Sequence, residues 1–242
     1  MKKVAFVTGA SRGIGKGIAI ALARAGVDVA IGYRKNKELA EKIAWKNGGV
    51  AIAVDIASRD SICTAMTECE NHFGASIDIL VNNAALAQEK PFHAITDDDW
   101  DRMLAVNLRS AFAFSQEVLP AMIAKRWGRI INITSIGGQW GGFNQVHYAA
   151  AKAGLISLTR SLARIYSGSG VTTNAVAPGL VATNMSSREL DTDAGKDKVK
   201  NIPVGRIARV DEVAEVVVFL ASDAASYVTG QTINVNGGMY FG

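Results

Sequence analysis

The chain has 242 residues, of which 49% are hydrophobic and 20% charged, with a formal net charge of +4. That length and composition provide for a packed α/β domain and exclude a disordered chain. No Lys/Arg run is dense enough for a nucleic-acid surface, no stretch is long and apolar enough to span a bilayer, and two cysteines are too few for a disulfide scaffold, so a cytoplasmic protein is expected.

Val4–Val7 is the first predicted strand. Behind Met1-Lys2-Lys3 it superficially resembles a leader, but its apolar run stops at Thr8-Gly9. Ile14, Ile18, Ala21, Leu22 and Ala25 form the stripe of an amphipathic helix closed by Gly26. Strands follow at Asp28–Ile31, Val50–Val54 and Ile77–Val81. Cys63 and Cys69 fall on one helical segment but on different faces, which argues against a disulfide. A long helix runs from Trp100 to Lys125 behind Asp97-Asp98-Asp99, whose charges suit a helix N-terminus; Pro120 is expected to kink or shorten it. Strands at Arg129–Ile133 and Val171–Val176 precede a helix carrying Val213, Val216, Val217 and Leu220, with Asp211 as its expected cap, and the last strand is Thr232–Val235. Most of these strands are apolar without alternation, as parallel strands buried on both faces are. The rhythm predicts a single α/β domain over residues 1–242, a doubly wound parallel sheet of about seven strands with helices on both faces. Only residues 184–200 break it; polar and weakly periodic, they read as a substrate lid or as a surface helix pair.

Two patterns carry chemistry. Thr8-Gly9-Ala10-Ser11-Arg12-Gly13-Ile14-Gly15 joins the first strand to the first helix, where glycines let backbone amides approach a pyrophosphate and the helix N-terminus favours its charge. Tyr148 and Lys152, four apart on a helix, share one face. An ammonium beside the phenol is expected to lower its pKa from about 10 toward neutrality, giving a proton donor usable near pH 7. Ser135 closes a strand at the carboxyl end, where open α/β sheets bind ligands, with Thr134 as its rival. His147 points about 100° away from Tyr148 and reads as a pocket-rim or interface residue rather than a base. His72 and His93 have no spaced partners, and no metal site is expected.

The loop spacing is G-x-x-x-G-x-G, and at this point the chain resembles the short-chain dehydrogenase/reductase family. The likeness continues through Asn82-Asn83-Ala84-Ala85, Asn107, Ser135, Tyr148, Lys152, Pro178-Gly179 and Val235-Asn236-Gly237-Gly238. It implies a Rossmann-type fold and a nicotinamide cofactor. It implies phosphate-loop roles for Gly9, Ser11, Arg12, Gly13, Ile14 and Gly15, an adenine contact from Asp55 and Ile56, and a cofactor wall from Asn82 and Ala84. A helix N-cap is the other reading of Asp55, and Ala85 stands where the family usually has Gly. Pro178, Gly179 and Thr183 match the turn that packs on the nicotinamide. NAD-specific members usually end the second strand in Asp; here it ends Tyr33-Arg34-Lys35. A guanidinium binds a 2′-phosphate bidentately, so NADP(H) is expected, with Arg34 ahead of Arg12.

Carried over in the same way, Tyr148 gives its proton to a carbonyl oxygen as hydride arrives, Lys152 holds the phenolate and the nicotinamide ribose, Ser135 polarises the carbonyl, and Asn107 holds a water connected to Lys152. Gly128-Arg129-Ile130-Ile131 and the closing segment resemble reductases of 3-oxoacyl thioesters on acyl-carrier protein or CoA. NADPH-dependent reduction of such a thioester is therefore expected; another ketone, sugar or polyol is the alternative, and a catalytically silent nucleotide sensor the third reading. Arg129 reads as one of two cations docking an acidic carrier, or as a solvated residue; the other falls in Ser167-Gly168-Ser169-Gly170, which has none. Ala111, Ala113, Ala149, Ala150, Ala151 and Ala153, with the family's habit, imply a homotetramer, or failing that a dimer.

Overall fold

Each short apolar run becomes a strand. The computed structural model describes residues 2–183 and 193–242. Its strands are β1 (Val4–Val7), β2 (Asp28–Tyr33), β3 (Val50–Ala53), β4 (Ile79–Asn82), β5 (Gly128–Ile133), β6 (Val171–Pro178) and β7 (Thr232–Val235), none displaced by more than two residues at either end from its predicted span. They pair in parallel in the order β3-β2-β1-β4-β5-β6-β7. The helices are α1 (Gly13–Arg24), α2 (Lys37–Asn47), α3 (Arg59–Phe73), α4 (Asp97–Leu104), α5 (Ser110–Lys125), α6 (Gly137–Trp140), α7 (Val146–Tyr166), α8 (Asp193–Lys200) and α9 (Val210–Ala221).

Successive strand residues point to opposite faces and feed two cores. Val7, Ile31, Val81 and Ile133 meet Ile18 and Leu22 of α1, Ile43 of α2 and Val213, Val217 and Leu220 of α9. Val4, Phe6, Leu80 and Ile130 meet Ile62 and Met66 of α3 and Phe114, Val118 and Met122 of α5. Burying each such side chain is worth about 1.5–3 kcal/mol, so a helix that lost its apolar stripe would detach. The result is a Rossmann-type sheet whose strand order reverses between β1 and β4. The carboxyl ends of the strands at such a reversal are the place where sheets of this kind take ligands.

Three local expectations are corrected. The long helix begins at Asp97, where the Thr96 hydroxyl accepts the Asp99 amide at 3.2 Å and the Asp99 carboxylate accepts the Thr96 amide at 3.1 Å. It is interrupted by a single wide π turn at Ala105–Arg109, which a 3.6-residue period does not reveal. Pro120 does not end α5, which continues to Lys125; the proline lies on the exposed side, where the carbonyl it leaves unbonded can face water. Asp211 is not the cap of α9 either: Arg209 holds that position, and Glu212 accepts its backbone N–H at 2.7 Å. Residues 184–192 of the expected lid lie outside the described residues, while 193–200 form α8.

Candidate active site

The glycine loop is a backbone cradle. Gly9 has φ +64°, and a Cβ there would stand 2.9 Å from the Ala84 Cα; one on Gly15 would stand 2.4 Å from the Asn83 side-chain Nδ2 and 2.6 Å from the Gly9 carbonyl oxygen. Neither position admits a side chain. The loop is stitched to the turn after β4 by Thr8, whose hydroxyl accepts the backbone N–H groups of Asn83 and Ala84, both at 2.9 Å, and by the Asn83 carboxamide, which donates to the Thr8 carbonyl at 2.8 Å. The first turn of α1 has no acidic residue and no side-chain cap, so its amides and dipole favour an anion. Ser11 is buried, Ile14 half-buried and Arg12 exposed at the helix entrance. Thr183, after the Pro178-Gly179 turn, stands across from Gly13, its methyl 3.7 Å from where a Gly13 Cβ would be. These residues fit a dinucleotide pyrophosphate.

Thr8 and Asn83 were not among the sequence candidates, although they join the two halves of the wall. Asn82 ties this wall to the next strand. Its side chain turns into the sheet and donates to Asn132 Oδ1 at 2.8 Å, and Asn132 in turn donates to the Thr159 hydroxyl at 2.9 Å. Asp55 does not cap α3, where Ser58 does so by accepting the Ser61 amide. Instead it pairs with Arg34 at 3.0 Å while accepting the Ala57 N–H at 3.1 Å, beside the half-buried Ile56. The two residues expected at the adenine and at the 2′-phosphate thus touch one another, on the exposed rim beyond β2 and β3.

Tyr148 and Lys152 come together with Ser135 at the carboxyl end of β5. The Lys152 ammonium is buried, donates to the Ile133 carbonyl at 2.8 Å and lies 5.6 Å from the centre of the Tyr148 ring. A Cβ on Gly138 would strike the Lys152 backbone at 2.8 Å, so the contact between α6 and α7 seals the lysine stem. Ser135 accepts the Gly137 N–H at 3.1 Å and reaches the Tyr148 phenol. Thr134 is not available for that role, because its hydroxyl is bonded to the Val176 carbonyl at 3.0 Å.

The pKa expectation is corrected. Burial pushes the Tyr148 phenol above its ordinary value, and the Ser135 hydroxyl acts in the opposite direction. Burial also pushes Lys152 down from 10.5 to about 8. Desolvation disfavours phenolate and ammonium alike, so bringing the two together in a dry site does not by itself ionise the phenol.

Asn107 sits in the wide turn. Its carboxamide donates to the Leu86 carbonyl at 3.0 Å and the Met103 carbonyl at 3.1 Å, and accepts the Leu86 N–H at 3.3 Å, which ties the loop after β4 to the helix. Those bonds leave one lone pair of its oxygen for any water bridge to Lys152. His147 is neither at a rim nor at an interface: it is fully buried, its Nε2 bonded to Gln88 Oε1 at 2.9 Å. Arg129 is neither a carrier dock nor solvated. Buried at the amino end of β5, it lies over Trp127 at 4.3 Å, donates to the Ser222 and Gly128 carbonyls at 3.3 and 3.1 Å, and faces Asp223 at 3.4 Å. Among the described residues no cluster of His, Cys, Asp and Glu could hold a metal ion, and no helix is long and apolar enough to cross a membrane.

A family model described as enoyl-(acyl carrier protein) reductase matches residues 9–240. The 3-oxoacyl-[acyl-carrier-protein] reductase FabG of Pseudomonas aeruginosa is 45% identical, the alignment covering 98% of this chain and 97% of that one. The reductase of the same name from Staphylococcus epidermidis is 42% identical over 99% of this chain and 100% of its own. The acetoacetyl-CoA reductase of Shinella zoogloeoides is 40% identical over 100% of both. Among solved structures, a provisionally assigned gluconate dehydrogenase from Agrobacterium tumefaciens superposes with a TM-score of 0.94 at 33% identity, covering 98% of this chain and 95% of that one.

Proposed function

This chain belongs to the short-chain dehydrogenase/reductase family, and from that premise we propose that it uses NADPH to reduce a 3-oxoacyl thioester to the 3-hydroxyacyl thioester. The observation that carries the reading is the half-buried Tyr148 over the buried Lys152, beside Ser135, at the carboxyl ends of the strands that also carry the glycine cradle. Gly9, Ser11, Gly13, Ile14 and Gly15 hold the pyrophosphate on backbone amides. Arg34 and Arg12 take the 2′-phosphate, and Asp55 keeps Arg34 in place from its other side. Ala84, Pro178, Gly179 and Thr183 bound the nicotinamide end. When bound, the cofactor supplies hydride to the carbonyl carbon.

The protein supplies the proton. Ser135 donates to the carbonyl oxygen and polarises it, and Tyr148 transfers its phenolic proton to that oxygen as the carbonyl becomes an alkoxide, leaving the neutral alcohol and a phenolate. Lys152 balances that phenolate in a site that water does not screen, where its charge counts for more than in solvent. The raised phenol pKa of the free protein suits this order of events: the proton stays on Tyr148 until negative charge develops beside it. Asn107 fixes the loop that closes the site on the far side.

The thioester reading rests on the activities named for the relatives, which include both carrier-protein and CoA forms. The buried Arg129 gives an acidic carrier no handle. NADPH oxidation measured side by side with acetoacetyl-CoA and an acetoacetyl carrier protein tests the proposal: turnover of either supports it, and turnover of neither overturns it. Ala111, Ala113, Ala149 and Ala151 are already buried within the chain and call for no partner, with only Ala150 and Ala153 exposed; the assembly proposed is still a homotetramer, in which Phe112 of α5, Ile165 of α7 and Tyr227, all exposed in the single chain, become covered. Light scattering at micromolar concentration reads its mass.

A further inference from the structure

The segment that leaves the cofactor wall after Ala85 is pinned at every second residue. Leu86 is bonded through both backbone groups to the Asn107 carboxamide. The Gln88 side chain bridges His147 and Asp99, both at 2.9 Å. Lys90 donates its backbone N–H to the Asn144 carbonyl at 2.7 Å and its ammonium to Asp99 at 2.5 Å. Residues 86, 88 and 90 are half-buried while 87 and 89 are exposed, the pattern of an extended strip lying against the helices beside Tyr148. Gln145, two residues before His147, also reaches back to Glu89 at 3.1 Å.

The bonds fix each orientation. A carboxylate only accepts, so the Gln88 nitrogen faces Asp99 and its oxygen faces His147. The imidazole must therefore donate from Nε2, which leaves Nδ1 as a bare nitrogen, buried and without a partner. Burial holds His147 below its ordinary pKa, as a neutral imidazole. A buried ring with an unpaired nitrogen costs stability, and packing alone would be served as well by an apolar residue.

We propose that His147 is a positioning residue for the substrate: from the position next to Tyr148 it fixes the strip of residues 86–90 through Gln88, making that strip a rigid wall against which the acyl thioester is aligned. This rests on the function proposed above. Asp99 serves the wall a second time, since the carboxylate that caps α4 also anchors Gln88 and Lys90. The strip is thereby tied to α4, to the wide turn and to α7 at once.

Three variants test it. Gln88→Ala removes the bridge and leaves the buried histidine in place; His147→Phe removes the donor; His147→Gln puts an amide N–H near the position of Nε2. The expected result is a KM for acetoacetyl-CoA about tenfold higher in Gln88→Ala and His147→Phe, with kcat and NADPH affinity within about twofold of the parent, and a KM close to the parental value in His147→Gln. Without substrate, the Leu86 and Lys90 amides should exchange hydrogen about ten to a hundred times faster in Gln88→Ala, while the core strands do not change. A parental KM in Gln88→Ala overturns the proposal, as does a His147→Gln no better than His147→Phe. If the parent turns over no 3-oxoacyl thioester, the function proposed above fails separately; amide exchange then decides the wall alone, and unchanged rates at Leu86 and Lys90 refute it.

Discussion

The two ends of β5 each bury a cation, and the cations are treated in opposite ways. At the amino end Arg129 has an aromatic face, two carbonyls and the Asp223 carboxylate around its guanidinium. Trp127 is itself covered by Lys3 at 3.7 Å on its ring and donates to Asp223 at 2.9 Å. At the carboxyl end Lys152 has one carbonyl and the edge of the Tyr148 site, and burial drives its pKa down to about 8. A buried charge that the protein surrounds with acceptors serves the fold; one it leaves undercompensated is held ready for a partner that arrives later. Lys152 is of the second kind, and its partners in the proposed reaction are the phenolate and the cofactor ribose.

That contrast can be broken at several points. The largest effect belongs to the proton itself: Tyr148→Phe should lower kcat by about 10²–10⁴-fold while NADPH binding, followed by fluorescence, stays within about twofold. Near-parental turnover would remove the acid assignment. Lys152→Met should also abolish most of the turnover yet raise the melting temperature of the cofactor-free protein, since it removes a poorly solvated charge; the gain expected is about 1–4 kcal/mol.

The pH dependence of stability reports the same charge. Between about 8 and 10.5 the unfolded chain holds the Lys152 proton and the folded chain does not, so this lysine makes stability rise with pH across that window and contributes no slope below it. Chemical denaturation at intervals over that range should reveal the rise in the parent and a flatter curve in Lys152→Met. Equal curves would mean that the lysine is not desolvated.

Arg129→Met should do the reverse of Lys152→Met: kcat is kept, and stability falls by about 1–3 kcal/mol as Asp223 and the carbonyls lose their donor. A third cation, Arg34, serves as the exposed reference. Its bond to Asp55 is worth about 0–1 kcal/mol, so Arg34→Asp should barely move the melting temperature. The same variant should cut the preference for NADPH over NADH about ten- to a hundredfold, read from kcat/KM with each cofactor. An unchanged preference would pass the 2′-phosphate role to Arg12.

What could be read in advance was what depends on neighbours in the chain. The strands, the glycine loop and the spacing of Tyr148 to Lys152 are local patterns, and each is found where it was expected. What could not be read depends on contacts between distant residues. Arg129 looks like a surface cation until Trp127 and Asp223 close over it, and His147 looks like a rim residue until Gln88 covers it. The direction of the Tyr148 shift was missed for a related reason. Spacing on a helix gives the proximity of two charges but not the loss of water around both, and here the second effect is the larger.

The wide turn at Ala105–Arg109 carries one residue more than an α-helix would use there, so α4 and α5 are out of angular phase by about 100°. At that phase Asn107 of the turn reaches Leu86 while Asp99 of α4 reaches Gln88 and Lys90. Shortening the turn by one residue would mend the helix and give it more regular backbone bonding, and would swing those anchors off the strip they hold. In this stretch of chain, better secondary structure and a working catalyst are opposed outcomes, and the irregular form is the one that keeps the anchors in place.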